Sequence, residues 1–123
     1  MTQKEIALLA AKALDDKRAK DITVLKVDEM TVITDYMVIA TGRSVPQVKA
    51  LADNVEEELI KVDCDPKRRE GYTEGRWCVL DYGDVMVHIF HEQDREYYQL
   101  ERLWADGTNE LELSFEKEES EQA

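Results

Sequence analysis

Gly42-Arg43-Ser44 lies where an apolar run gives way to an amphipathic stretch. A strand-to-helix junction of this kind can hold phosphate, because free backbone N–H groups and the helix dipole point outward there. Nucleotide-transferring enzymes with such a Gly-x-Ser also carry an Asp-x-Asp pair on the next strand, converging on Mg²⁺. The strand that follows carries no Asp-x-Asp here (Asp63-Cys64-Asp65 reads as a helix stop), and there is no Walker lysine pattern or G-x-G-x-x-G. Asp81 and Asp84 flank Tyr82-Gly83 and can approach each other across a turn, but turn formation alone accounts for both. His88-Ile89-Phe90-His91 has H-x-x-H spacing, yet it reads as a strand, where positions three apart face opposite ways. Cys78, beside Trp77 in a strand, reads as a small buried hydrophobe, and Cys64 has no C-x-x-C partner. The expectation is no enzyme, no cofactor and no metal. The rival is a small Mg²⁺-dependent nucleotidyltransferase using Ser44, Asp81 and Asp84.

The elements that would position these residues are legible as a mixed α/β chain. Thr2 and Glu5 have capping-box spacing, and Ile6, Leu9, Ala10, Ala13 and Leu14 follow with helical period. Ile22 to Val27 is rich in β-branched residues and reads as a strand. Tyr36 to Thr41 is a near-continuous apolar run, which predicts a strand buried on both faces. Ser44 suits a helix N-cap, with Pro46 in the first turn and Gln47 at the third position. Val48, Leu51, Ala52, Val55, Leu59 and Val62 form its apolar stripe. Lys67 to Tyr72 reads as a short polar strand near an edge. Arg76 to Asp81 and Asp84 to Phe90 form a hairpin joined by Tyr82-Gly83. Glu92 to Trp104 is expected to be one helix with Tyr97, Leu100, Leu103 and Trp104 on one face, and Gly107 suits its C-terminal cap region. Residues 1–107 are thus expected to form one domain. Residues 108–123, with six acidic residues and one lysine, are expected to be a largely disordered acidic tail.

Neither face of the hairpin is polar. Val85, Val87 and Ile89 share one face of the last strand, and Asp84, Met86, His88 and Phe90 the other. In its partner, Trp77 and Val79 oppose Cys78 and Leu80. Either helices cover both sides, or they cover one and the second apolar face awaits a partner, or an apolar strand pair recruits another chain.

Charge bears on which partner. The 123 residues carry 28 acidic and 16 basic side chains, a net charge of -12, of which the tail supplies -5. Nucleic-acid binding draws most of its affinity from neutralising phosphate, so an acidic chain favours a basic protein instead. No apolar stretch approaches a bilayer span, no signal peptide is read at the N-terminus, and two cysteines do not make a disulfide framework. A cytoplasmic setting and no membrane partner are expected.

Several segments, taken in order, resemble the ribosomal silencing factor, or Iojap-like, family. They are Thr34-Asp35-Tyr36-Met37-Val38-Ile39-Ala40-Thr41-Gly42, Glu70-Gly71-Tyr72 with Trp77, Leu80-Asp81-Tyr82-Gly83-Asp84-Val85-Met86-Val87-His88-Ile89-Phe90, and Tyr97-Tyr98-Gln99-Leu100-Glu101-Arg102-Leu103-Trp104. The likeness runs from Ile6 to Asp106. It implies a mixed sheet of about five strands with flanking helices, related to the nucleotidyltransferase fold without its catalytic carboxylates. It implies a translational repressor that binds the large ribosomal subunit through the basic ribosomal protein uL14 and blocks joining of the small subunit. A part in large-subunit maturation is also implied. The hairpin argument and these motifs together nominate Trp77, Leu80, Tyr82, Asp84 and Met86 as the interface centre, with Arg43 and Tyr98 nearby. A homodimer, the apolar face meeting its own copy, is the second expectation when the protein is free.

Overall fold

The computed structural model describes residues 1–115. Helix α1 (Gln3–Asp16) starts on the expected capping box: the Glu5 N–H donates to Thr2 Oγ1 at 3.1 Å and the Thr2 N–H donates to Glu5 Oε1 at 3.0 Å. Its buried stripe is mostly alanine, which lets α2 (Val45–Ile60) approach closely. Asn54, buried on α2, ties the two together by donating to the Ala13 carbonyl at 2.8 Å. Ser44 caps α2 by accepting from the Gln47 N–H at 3.2 Å. The helix stops at Ile60, so Val62 falls outside the stripe predicted for it and is 39% exposed.

The strands are β1 (Lys20–Lys26), β2 (Tyr36–Gly42), β3 (Arg68–Glu70), β4 (Trp77–Asp81) and β5 (Val85–His91). They form one mixed sheet in the order β1-β2-β5-β4-β3. Central β2 runs parallel to β5 and is buried at every position, as its unbroken apolar run predicts. The polar β3 lies on an edge and is wholly exposed. The turn between β4 and β5 sits one residue later than expected. Asp81 faces Met86 and the Tyr82 N–H donates to the Val85 carbonyl at 2.9 Å, so Gly83-Asp84 forms the turn. Gly83 supplies the positive φ (86°) that this turn needs.

Both long helices lie on one face of the sheet. Ala10, Leu14, Val48, Leu51 and Leu59 pack there against Val38, Leu80, Val87 and Ile89. A smaller cluster of Leu25, Val27, Met37, Ile39 and Phe90 occupies the other face beneath Leu100 and Trp104. The segment bearing those two residues is not the single helix expected. It breaks into α3 (Glu92–Tyr98) and α4 (Glu101–Trp104) at Gln99, whose φ is 48°. The elbow turns Leu100 and Trp104 onto the sheet and leaves Tyr97 and Leu103 outside, 80% and 73% exposed. The chain leaves α4 at Ala105, and Gly107 falls in the following turn.

The tail also departs from expectation. The Lys26 N–H donates to the Asn109 carbonyl and the Leu111 N–H to the Val24 carbonyl, each at 2.9 Å, and Glu110 faces Leu25. The segment thereby occupies the free edge of β1, whose backbone groups would otherwise lack partners. Leu113 is buried in the main core, with Leu111 and Phe115 packed against it. The ordered domain thus runs past residue 107. The remainder of the expected tail, residues 116–123, lies outside the described residues.

Candidate protein-docking surface

The face away from α1 and α2 is built from three cross-strand rows. One is Leu25, Met37, Met86, Asp81 and Arg68. The next is Thr23, Ile39, His88, Val79 and Glu70. The third is Thr41, Phe90 and Trp77. Each row passes from covered to open. Leu25, Ile39 and Phe90 are fully buried under the α3–α4 segment, whereas Met86, Val79 and Trp77 are half-buried toward β4. Adjacent side chains therefore form a continuous apolar strip with an open flank. Charged Arg68, Glu70 and Asp81 edge it, and Arg68 lies 3.7 Å from each carboxylate. A hollow of about 150 Å³ between them is lined by Arg68, Glu70, Val79, Asp81, Met86 and His88.

Aromatic rings extend the strip onto α3. Trp77 lies 4.8 Å from both Phe90 and Tyr98, centroid to centroid, and Tyr97 meets Tyr98 edge-on at 4.9 Å. Tyr98 is 50% exposed. Trp77 Nε1–H donates to His88 Nδ1 at 3.1 Å, so the neutral imidazole carries its proton on Nε2. Burial pushes the His88 pKa down from 6.5 to about 4, which keeps this ring uncharged beneath the strip. Among the described residues Nε2 has no partner.

The nominated residues do not all meet here. Trp77, Met86 and Tyr98 share the open face. Leu80 and Tyr82 do not. Leu80 faces Val87 under α2 and is fully buried, and Tyr82 is 9% exposed in the same core. Strand alternation sends both away from Trp77. Asp84 is exposed in the turn, where Oδ2 accepts from Gln3 Nε2 at 3.2 Å. Arg43 is exposed beyond β2, and its guanidinium donates to the Arg18 carbonyl at 3.1 Å, on the helix side. The overlooked member is Val79, whose two-residue spacing from Trp77 already placed it on this face. Val32 and Ile33, in the β1–β2 connection, form a separate exposed apolar tip.

The groups singled out for catalysis are otherwise engaged. Ser44 Oγ caps α2, Asp81 Oδ1 accepts from the Gly83 N–H at 2.8 Å, and Asp84 holds Gln3. Among the described residues no cluster of three or more His, Cys, Asp or Glu is placed to hold a metal. Cys78 is fully buried, and desolvation pushes its thiol up to about 11. No described helix is long and apolar enough to cross a membrane.

A mixed five-stranded sheet with two helices on one face and a half-open aromatic strip on the other defines the class. The family model described as ribosomal silencing factor during starvation matches residues 1–123, and the chain belongs to that family. It is 43% identical to the ribosomal silencing factor of Bacillus subtilis (strain 168) over 107 residues, covering 87% of this chain and 91% of that one. The corresponding protein of Halalkalibacterium halodurans is 41% identical over 113 residues, covering 91% and 97%. The chloroplastic Iojap protein of Zea mays is 33% identical over 114 residues, 47% of its length. A crystal structure of a Chromobacterium violaceum protein superposes with a TM-score of 0.83 at 41% identity, covering 85% of this chain and 87% of that one. The family's description gives a silencing role at the ribosome during starvation.

Proposed function

We propose that this protein represses translation by binding the large ribosomal subunit through ribosomal protein uL14 and standing where the small subunit must dock. It acts in the cytoplasm as a steric block and carries out no reaction. The observation that carries this reading is the half-open strip of Trp77, Val79, Met86 and Tyr98 on a strongly acidic chain. Aromatic and methionine side chains suit the desolvated centre of an interface. A charge of -12 draws the chain toward a basic protein and away from the surrounding RNA. Arg68, Glu70 and Asp81 then form a polar rim around that centre.

Purified large subunits mixed with the protein and pelleted through a sucrose cushion test the binding. Wild type is expected in the pellet, and Met86→Asp, whose charge opposite Asp81 lowers the melt, in the supernatant at a temperature where it is still folded. Equal pelleting of both would remove the strip from the interface. A free homodimer using the same strip would compete with binding, and sedimentation across a concentration series reads it directly.

A further inference from the structure

Arg95 is a charged side chain only 9% exposed, on a helix of seven residues. Its Nη1 donates to the Asp21 carbonyl at 2.8 Å and to Thr41 Oγ1 at 3.0 Å, and its Nε donates to Glu101 Oε2 at 3.2 Å. One guanidinium thus joins four elements: β1, β2, α3 and α4. The receiving carbonyl is itself specialised. The β1–β2 register shifts between Lys20 and Thr23, and Asp21 there adopts φ 49°. Such a bulge leaves a residue out of the ladder, with its backbone free for another partner. On the other side of Arg95, its own carbonyl accepts from the Gln99 N–H at 3.0 Å, closing α3 at the left-handed elbow.

The elbow sets the docking strip. It separates Tyr98, which lies against Trp77, from Leu100, which packs with Trp104 over Phe90. α4 has only four residues and no buried ones, so its own turn holds little of this geometry. From these contacts we infer that Arg95 is the positioning residue of the docking face: it fixes the Gln99 elbow against β1 and β2 and so seats Tyr98 on Trp77, without touching the partner itself. This inference rests on the docking reading proposed above. Lysine does not replace it, since a single ammonium cannot present the planar fork that meets four acceptors, Thr23 Oγ1 at 3.5 Å included.

The test uses the full chain in a Trp104→Phe background, so that Trp77 is the one tryptophan, excited selectively at the red edge of its absorption. Arg95→Met and Glu101→Gln are compared with that parent for acrylamide quenching of Trp77, for pelleting with large subunits well below the melt, and for thermal unfolding. Positioning predicts that quenching rises and affinity falls about tenfold in Arg95→Met, with a smaller change of the same kind in Glu101→Gln. A purely structural Arg95 lowers the melt and leaves both readouts of the folded protein at parent values, which overturns the inference. If Arg95→Met does not fold, Glu101→Gln decides by the same two readouts. If the parent fails to pellet with large subunits, the docking reading falls, and Trp77 quenching alone decides whether Arg95 seats the rings.

Discussion

Trp77 and His88 are diagonal neighbours on β4 and β5, joined by a hydrogen bond from the indole Nε1 to the imidazole Nδ1 at 3.1 Å. The bond satisfies the indole donor and holds a half-exposed tryptophan in one orientation over a neutral, buried histidine. A flat aromatic centre so fixed loses less side-chain entropy when a partner covers it.

That histidine gives the protein a pH dependence of known sign. Its folded pKa of about 4 lies below the ordinary 6.5, so the unfolded chain takes up the proton first as pH falls. The contribution is intact above about pH 7 and is lost as pH drops toward the folded value. Between about pH 7.5 and about pH 5 wild type is expected to lose roughly 2 kcal/mol that a Trp77→Phe/His88→Leu double variant does not. Urea melts at the two pH values read the difference. Equal losses would place the imidazole in water.

Leu80 and Met86 are expected to separate stability from binding. Leu80→Ala empties a fully buried position under α2 and should cost about 2–4 kcal/mol, leaving the affinity of the folded protein unchanged. Met86→Ala should cost less stability and weaken large-subunit binding. Denaturant melts paired with pelleting distinguish them, and the opposite pattern would reverse the assignment of faces.

Tyr82 buries a hydroxyl that has no partner among the described residues, and desolvation raises its phenol pKa. Tyr82→Phe is therefore expected to be neutral or slightly stabilising, since an unmade hydrogen bond is removed. A drop of more than about 1 kcal/mol in a urea melt would mean that the hydroxyl is satisfied.

Much of this arrangement could be read before any coordinates. The Thr2–Glu5 cap, the unbroken apolar run of β2 and the two apolar faces of the β4–β5 hairpin rest on local chemistry or strand alternation, and each appears as expected. Two of the departures turn on contacts distant in sequence. Gln99 breaks a helix that local propensity would continue, and the gain is cover over Phe90. Leu111, Leu113 and Phe115 stand among acidic residues that mask them, and what orders them is distant: Leu111 bonds to the edge of β1 and all three pack with the main core. Leu80 and Tyr82 were nominated against the same alternation that placed Trp77 and Val79 together.

The docked tail makes its own prediction. Leu113→Ala should lower stability by about 2–3 kcal/mol, because a side chain 4% exposed leaves a cavity in the main core. Deletion of residues 108–123 should lower the melting temperature further, by also freeing the β1 edge. A differential scan comparing the three proteins measures it, and an unchanged midpoint on deletion would show that the edge pairing adds nothing.

In the proposed function, the Trp77–Met86 face holds the large subunit apart from the small one. Stopped-flow light scattering of subunit joining, with large subunits preincubated with this protein, tests it most directly. Wild type is expected to suppress the joining amplitude in a saturable way, while folded Met86→Asp leaves it near the protein-free level. Undiminished joining at saturating wild type, with the protein bound to the large subunit, would contradict the steric block.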